Sequence, residues 1–98
     1  MDIDVNNLDV RNNPDAGRFE VQLGDELAMV EYNIAGKNII FTHTEVPPAY
    51  EGQGIANKMA EVALAYAREH GYKIQPLCPF INTYIRRHKE YQDITWGY

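Results

Sequence analysis

The sequence predicts a mixed α/β (α+β) fold, a mostly antiparallel sheet flanked by two helices. Residues 18–46 alternate apolar and polar side chains between the turn signals Gly24-Asp25 and Ala35–Asn38, a pattern typical of half-buried strands joined as a meander. Over residues 55–69 the apolar side chains fall at helical spacing instead, which indicates an amphipathic helix. A short apolar strand and a second helix after it complete the fold.

The elements can be assigned in chain order. Residues 1–15 are rich in Asn and Asp and predict a loosely ordered arm with one extended piece over 5–10. The alternation predicts strands at 18–23, 28–34 and 39–46. Gly71 suits the C′ position that ends the first helix, and Pro79 suits the first turn of a second. The remaining predicted elements are a strand at 72–77, a helix at 80–88 and an edge strand at 93–98.

The order strand, helix, strand predicts where a ligand would lie. The strand at 39–46, the helix and the strand at 72–77 form a β–α–β unit with a right-handed crossover. In such a unit the ligand lies at the carboxyl ends of the strands, beside the helix N-terminus. We therefore expect Glu45, Val46 and the turn Gly52–Ala56 to surround one site, with Cys78 facing it.

Composition excludes several classes of protein. The 98 residues predict a single domain over 1–98. A net charge of −5 argues against nucleic-acid binding and favours cationic partners. One cysteine, no apolar leader and no long apolar run predict a protein of the cytoplasm, or of the nucleus in a eukaryote, without membrane attachment. No metal site is predicted, and the chain is expected to be a monomer or a weak dimer.

The turn Gly52-Gln53-Gly54 before the first helix is the strongest chemical signal. A helix start leaves backbone N–H groups unpaired, and together with the helix dipole they favour a phosphate group. Glycines let a ligand approach the backbone. A plain tight turn is the alternative interpretation. The lysine of a P-loop and the three glycines of a dinucleotide-binding turn are both missing.

His43 and Glu45 are the candidate proton acceptors. They lie two residues apart on one predicted strand, and alternation places them on one face with Ile39 and Phe41. Either side chain could accept a proton from a bound group, directly or through water. A structural histidine beside an exposed glutamate is the alternative.

Cys78 precedes Pro79 and should lie at the N-cap of the second helix. The helix dipole there favours a thiolate. Three interpretations are open: a nucleophile, a polarisable wall of the site, or an ordinary core residue.

Four segments in this order resemble the small, single-domain, YjdJ-like group of GNAT N-acetyltransferases: HTEVPP at 43–48, GQGIA at 52–56, PLCPF at 76–80 and YIRRHKEY at 84–91. The resemblance extends from about Phe19 to Tyr91. One departure is Glu51, which stands where the family's acyl-CoA loop usually has Arg or Gln. A carboxylate there would repel a pyrophosphate.

The resemblance implies a GNAT fold, acetyl-CoA as cofactor and a primary amine as acceptor, such as a protein lysine, an N-terminus or a small amine. It implies that transfer is direct or passes through Cys78, that Glu45 or His43 takes the proton, and that Tyr84 protonates the departing thiolate. A core or surface role for Tyr84 is the alternative, as is a solvated helix end for the basic residues 86–89. A catalytically weak CoA-binding module is the alternative function. The implied cofactor-binding residues are Val46, Gly52, Gln53, Gly54, Ile55, Ala56, Asn57, Asn82 and Arg87.

Overall fold

The computed structural model describes residues 3–98, which form one five-stranded sheet, two α-helices and three short 3₁₀ turns. Residues 1 and 2, part of the expected arm, lie outside the described residues. The strands follow one another across the sheet in chain order. They are β1 (Arg11–Asn13), β2 (Arg18–Leu23), β3 (Glu26–Ala35), β4 (Asn38–Glu45) and β5 (Lys73–Pro76), and the helices are α1 (Ile55–Glu69) and α2 (Pro79–Arg87).

The predicted meander and β–α–β unit are both confirmed. Strands β1 to β4 pair antiparallel with their neighbours, and β4 pairs parallel with β5 across the crossover that contains α1. A parallel pair needs such a long connection, whereas antiparallel neighbours can be joined by short turns. The chain therefore has the mixed, mostly antiparallel sheet that the change of periodicity predicts.

The core lies on one face of the sheet. The inward side chains of β2, β3 and β4 alternate with exposed ones, and Phe19, Val30 and Phe41 are almost fully buried. Burying each such side chain contributes about 1.5–3 kcal/mol. Helix α1 covers this face closely because several of its buried positions are alanine. The opposite sheet face, which we call the open face, has no fully buried residue among those described.

Helix α1 ends as its sequence predicts. Gly71 has a φ of +71° and follows the C-cap His70. The N–H of Tyr72 donates to the carbonyl of Ala67 (2.9 Å), and that of Gly71 donates to the carbonyl of Arg68 (3.2 Å). This pair of bonds is the Schellman motif, which favours glycine at C′.

The N-terminal segment differs from the expected extended piece at 5–10. Val5–Asn7 form a 3₁₀ turn, which Asp4 caps by accepting from the N–H of Asn6 (3.2 Å). Strand β1 comes later and pairs with the start of β2. The phenol of Tyr32 donates to Asn12 Oδ1 over 2.6 Å. Side-chain bonds to nearby backbone compete with extended structure at Asp and Asn, which explains the 3₁₀ turn.

The predicted edge strand at 93–98 is wrong. Lys89–Ile94 form a 3₁₀ turn, and Thr95 makes a single isolated bridge with Ile74. Arg68 holds this turn against α1 because its guanidinium bonds Asp93 (2.8 Å) and the carbonyl of Glu90. That contact holds the pKa of Asp93 below its usual value. The sequence pattern of residues 93–98 carries no information about the contact with Arg68, which lies on α1.

A β-bulge in β4 reverses the faces of the residues that follow it. Tyr32 pairs with Phe41, and the neighbouring Glu31 pairs with His43, so Thr42 is left without a partner. An extra residue of this kind shifts the alternation by one. His43 and Glu45 therefore lie on the open face, and the expectation that they share a face with Ile39 and Phe41 is wrong.

Strands β4 and β5 separate beyond Phe41. Their parallel pairing runs only from Asn38 and Lys73 to Phe41 and Pro76. The N–H of Cys78 then donates to the carbonyl of Phe41 over 2.9 Å, while β4 continues unpaired on this side to Glu45. A gap therefore opens between the two strands at their carboxyl ends, beside the start of α1.

Candidate functional site

The start of α1 has unpaired backbone donors. Gly54 is the N-cap residue, with a φ of +86°, and the first helical bond runs from the N–H of Lys58 to its carbonyl (3.1 Å). The N–H groups of Ile55, Ala56 and Asn57 therefore have no partner within the helix. Among residues 3–98, no side chain caps this end, and its first turn holds no acidic residue. Such a helix end attracts an anion.

A cavity of about 370 Å³ lies over this helix end. It extends from the glycine turn to the end of β4 on one side and to the start of α2 on the other. Its walls carry both apolar side chains and backbone groups, as an elongated, partly charged ligand would require. The lining residues are Thr44, Val46, Tyr50, Glu51, Gly52, Gly54, Ile55, Ala56, Asn57 and Phe80.

The two glycines of the turn face different surroundings. A Cβ on Gly52, whose φ is +79°, would have no heavy atom of the described residues within 4 Å, so it would project into open space beside the cavity. A Cβ on Gly54 would contact the methyl groups of Val5 at 3.7 and 3.8 Å. Both glycines adopt a backbone conformation that other residues rarely tolerate. Gln53 is half-buried between them and does not line the cavity.

Thr44 and Cys78 meet beside the cavity. The Thr44 Oγ1 lies 3.2 Å from the Cys78 Sγ. Cys78 is the N-cap residue of α2, as predicted, but only 3% of it is exposed. It does not itself line the cavity, whereas its neighbours Thr44 and Phe80 do. The thiol is therefore adjacent to the cavity and covered by the side chains that bound it.

His43 and Glu45 lie together on the open face. The His43 Nε2 is 3.6 Å from the Glu45 Oε1, and more than half of each side chain is exposed. Neither lines the cavity. Glu45 instead borders a second groove, which shares Val46 and Glu51 with the cavity. The structure thus places Glu45 in the groove that adjoins the cavity, and His43 beside Glu45 on the open face.

Tyr84 is not brought to the cavity. It is buried on α2, and its ring stacks on that of His88 with centroids 3.8 Å apart. Burial raises the pKa of Tyr84 to about 12, and Tyr91 and Glu61 add smaller contributions. An ordinary thiol has a pKa of about 8.5, so proton transfer from this phenol to a thiolate would be uphill.

Replacing Tyr84 with Phe should make stability less sensitive to alkaline pH. An unfolded tyrosine ionises near pH 10, whereas folded Tyr84 holds its proton to about pH 12. Between these values the unfolded state binds fewer protons, so the wild-type free energy of unfolding falls as pH rises. Thermal unfolding across this range should therefore show a shallower decline for Tyr84→Phe than for Tyr98→Phe. Tyr98 is an exposed control, and equal slopes for the two variants would contradict the assignment.

The other implied cofactor contacts lie on the outer side of α2. Asn82 and Arg87 are exposed and do not line the cavity. Arg87 borders a separate depression with Thr83 and Arg86. Because neither residue lines the cavity, each would have to contact a part of the ligand that extends outside it.

Sequence reasoning missed three cavity residues: Thr44, Tyr50 and Phe80. Thr44 reaches the cavity because of the bulge at Thr42, which simple alternation does not predict. Tyr50 is held by the 3₁₀ turn Pro48–Tyr50, and the Pro-Pro pair was a signal for that turn. Phe80 could have been found from the start of α2 at Pro79, which is confirmed. A side chain at a helix start beside the carboxyl ends of the strands lies near the place where a ligand is expected.

The residues present suit a phosphate-bearing thioester cofactor. The uncapped helix start and the free space at Gly52 suit the pyrophosphate, and the gap between β4 and β5 suits a narrow, extended arm. Within the described residues Glu51 is the one carboxylate that lines the cavity, but it is exposed and can point toward solvent. Within residues 3–98, no helix is long and apolar enough to span a membrane.

Comparison with known proteins identifies the family. Residues 18–94 match the GCN5-related N-acetyl-transferase family, and the chain belongs to this family. Protein NATD1 of Mus musculus is 38% identical over 72 residues, which cover 70% of this chain and 66% of that protein. For Protein NATD1 of Homo sapiens the identity is also 38% over 72 residues, covering 70% and 64%. The chain thus spans just under two thirds of the length of these relatives.

A solved structure has the same fold. The NMR solution structure of a GCN5-like protein from Staphylococcus aureus superposes with a TM-score of 0.74 at 26% sequence identity. The match covers 94% of this chain and 91% of that one. The GNAT fold expected from the four sequence segments is therefore confirmed.

Proposed function

We propose that this protein is an N-acetyltransferase that moves the acetyl group of acetyl-CoA to a primary amine. The observation that carries the proposal is the cavity at the uncapped start of α1, which continues toward the gap between β4 and β5. One end of this site suits an anion and the other is lined by apolar groups next to a thiol. That combination fits a pyrophosphate joined to a thioester arm.

The backbone of residues 52–57 would hold the pyrophosphate. The N–H groups of Ile55, Ala56 and Asn57 point out of the helix start, and Gly52, which faces open space, keeps the approach clear. Val46 would contact the arm as it enters the gap. By family resemblance, Asn82 and Arg87 would reach the distal phosphates. The bound cofactor supplies an acetyl group activated as a thioester.

On the acceptor side, Glu45 would remove the proton from the incoming ammonium group. The carboxylate is exposed on the open face and borders the groove next to the cavity. His43 Nε2, 3.6 Å away, can pass that proton to solvent. Proton transfer to a positioned side chain is worth about 10²–10⁴ in rate. Removing the proton leaves a neutral amine, which can attack an acyl carbon.

Cys78 has two candidate roles. As a nucleophile, its thiolate would take the acetyl group and release the thiolate of CoA; the amine would then attack this acetyl-cysteine and release Cys78. As a wall, it would only support Thr44 next to the thioester. Its 3% exposure and its contact with Thr44 favour the wall, and either role suits a compartment that keeps thiols reduced, such as the cytoplasm.

Incubation with acetyl-CoA and measurement of the intact mass test both the function and the role of Cys78. We expect turnover on an amine panel, and we expect Cys78→Ala to retain more than about a tenth of it, because a wall residue loses packing rather than a bond-making step. An acetyl adduct that disappears in Cys78→Ala, with a loss of about 10² or more, would establish the covalent route instead. Failure of the wild type to bind CoA would overturn the proposed function.

A CoA-binding module without turnover is the second candidate. Glu51 favours it, because this carboxylate lines the cavity where the family usually has Arg or Gln. Glu51→Gln should tighten CoA binding if the carboxylate faces the pyrophosphate and should change little if it faces solvent. CoA binding without acetylation of any amine would support the module.

A further inference from the structure

A second groove begins where the cavity ends, and we call it the acidic groove. Its volume is about 610 Å³, and it runs along the open side of the sheet from the β2–β3 turn to the segment after β4. The floor is apolar, and the rim carries four carboxylates. The floor is formed by Leu27, Met29, Val46, Pro47 and Pro48, and the rim by Asp25, Glu26, Glu45 and Glu51.

The rim carboxylates have little positive charge near them. Within residues 3–98, Asp25, Glu26 and Glu51 have no cationic side chain within 4.0 Å, and Glu45 has only His43. No Lys or Arg from the described part of the chain lines the groove. Gathering like charges without a partner is unfavourable, so a cation from outside would find strong complementarity here.

The acidic groove is continuous with the proposed cofactor site. Val46 and Glu51 line both the groove and the cavity, and Glu45 stands between them on the groove side. A molecule lying in the groove would therefore pass directly beside the place where an amine meets the thioester. The β2–β3 turn extends the groove beyond that point, so part of a bound molecule would contact Asp25 and Glu26.

We propose that the acidic groove binds a lysine-bearing polypeptide segment that carries a second Lys or Arg close to the acetylated lysine. The proposal rests on the proposed function. The apolar floor suits the methylene stems of long cationic side chains, whose charged ends can reach the rim. The groove is open along its length rather than enclosed, so it suits an extended chain better than a small polyamine, which needs enclosing walls.

The test compares two peptides on two matched variants. One peptide has a single lysine, and the other has a second lysine two residues away. The variants are Asp25→Asn/Glu26→Gln and the control Asp15→Asn/Glu69→Gln, which removes the same charge from exposed positions outside the groove. Binding of fluorescein-labelled peptides and kcat/KM are both measured at low and high salt.

We expect the wild type to prefer the doubly charged peptide by about five-fold at low salt, since each exposed ion pair contributes modestly. The preference should shrink in Asp25→Asn/Glu26→Gln and at high salt, and it should persist in the control. Equal affinity for the two peptides, or tighter binding of free spermidine than of either peptide, would overturn the inference. Selective binding of the doubly charged peptide without acetylation would instead contradict only the proposed function. Acetylation of both peptides without selectivity would contradict only this inference.

Discussion

Replacing Gly52 with Ala should weaken the binding of CoA by about ten-fold or more. The new Cβ would project from a backbone with a φ of +79° into the space beside the cavity. It would also push the turn away from a conformation that side chains disfavour by about 1–2 kcal/mol. A phosphate held by backbone N–H groups loses about 1.5–3 kcal/mol for each bond to a charged group that is broken. Isothermal titration with CoA measures the loss.

Gly36→Ala is the matched control. Gly36 lies in the β3–β4 turn with a φ of +61°, and a Cβ there would also have no heavy atom within 4 Å. The backbone strain in Gly36→Ala should lower the melting temperature by about as much as the strain in Gly52→Ala does, because both residues have a positive φ in the left-handed region. Only Gly52→Ala should lose affinity. If the two variants bind CoA equally well, the glycine turn is not the pyrophosphate site.

Much of the fold could be predicted from local pattern because the determinants are local. Alternation predicts β2 to β4 since one face of each strand is buried, and helical spacing predicts α1 since one stripe of it packs on the sheet. Gly71 and Pro79 mark a helix end and a helix start through their own backbone preferences. The order of these elements then determines which strand ends meet the start of α1, and so predicts the cavity.

The wrong predictions occur where the local structure is determined by contacts with residues that are distant in sequence. One unpaired residue, Thr42, moves His43 and Glu45 to the open face and brings Thr44 to Cys78. No local pattern marks the bulge, because Phe41 to Glu45 read equally well as an uninterrupted strand. The C-terminal turn depends on Arg68, which is remote in sequence. The implied role of Tyr84 in protonating the thiolate rests on the family resemblance. Its actual surroundings depend on how α2 packs against the 3₁₀ turn that follows it.

The bulge has a consequence for catalysis. It separates the residues after Phe41 into two sets, with Thr44 beside the cavity and Glu45 beside the acidic groove. A regular strand would have placed Glu45 among buried apolar side chains, where a charged carboxylate is costly. The observed arrangement keeps Glu45 solvated and facing the side from which an amine can approach. The proposed proton acceptor and the proposed thioester site can thus lie next to each other without burying the charge.

Glu45→Gln should lower kcat/KM for an amine acceptor by about 10², at the lower end of the range for general base catalysis because the side chain is exposed. CoA affinity should change little, since Glu45 does not line the cavity. Acceptor amines of different pKa separate this role from a general electrostatic one. The loss in Glu45→Gln should shrink for an amine of low pKa, which is already neutral at the assay pH and needs no base.

Two control variants identify the base. Glu31→Gln removes a carboxylate from the neighbouring strand, opposite His43, and should keep the rate within about three-fold for every acceptor, because one exposed charge pair is worth little. His43→Gln should reduce the rate less than Glu45→Gln does if the histidine only passes the proton to solvent. If instead the loss in His43→Gln is the larger one and shrinks with an amine of low pKa, whereas the loss in Glu45→Gln does not, the histidine accepts the proton and the carboxylate orients it. The 3.6 Å separation of these two groups allows either arrangement, but only in one of them does the loss in Glu45→Gln depend on the pKa of the amine.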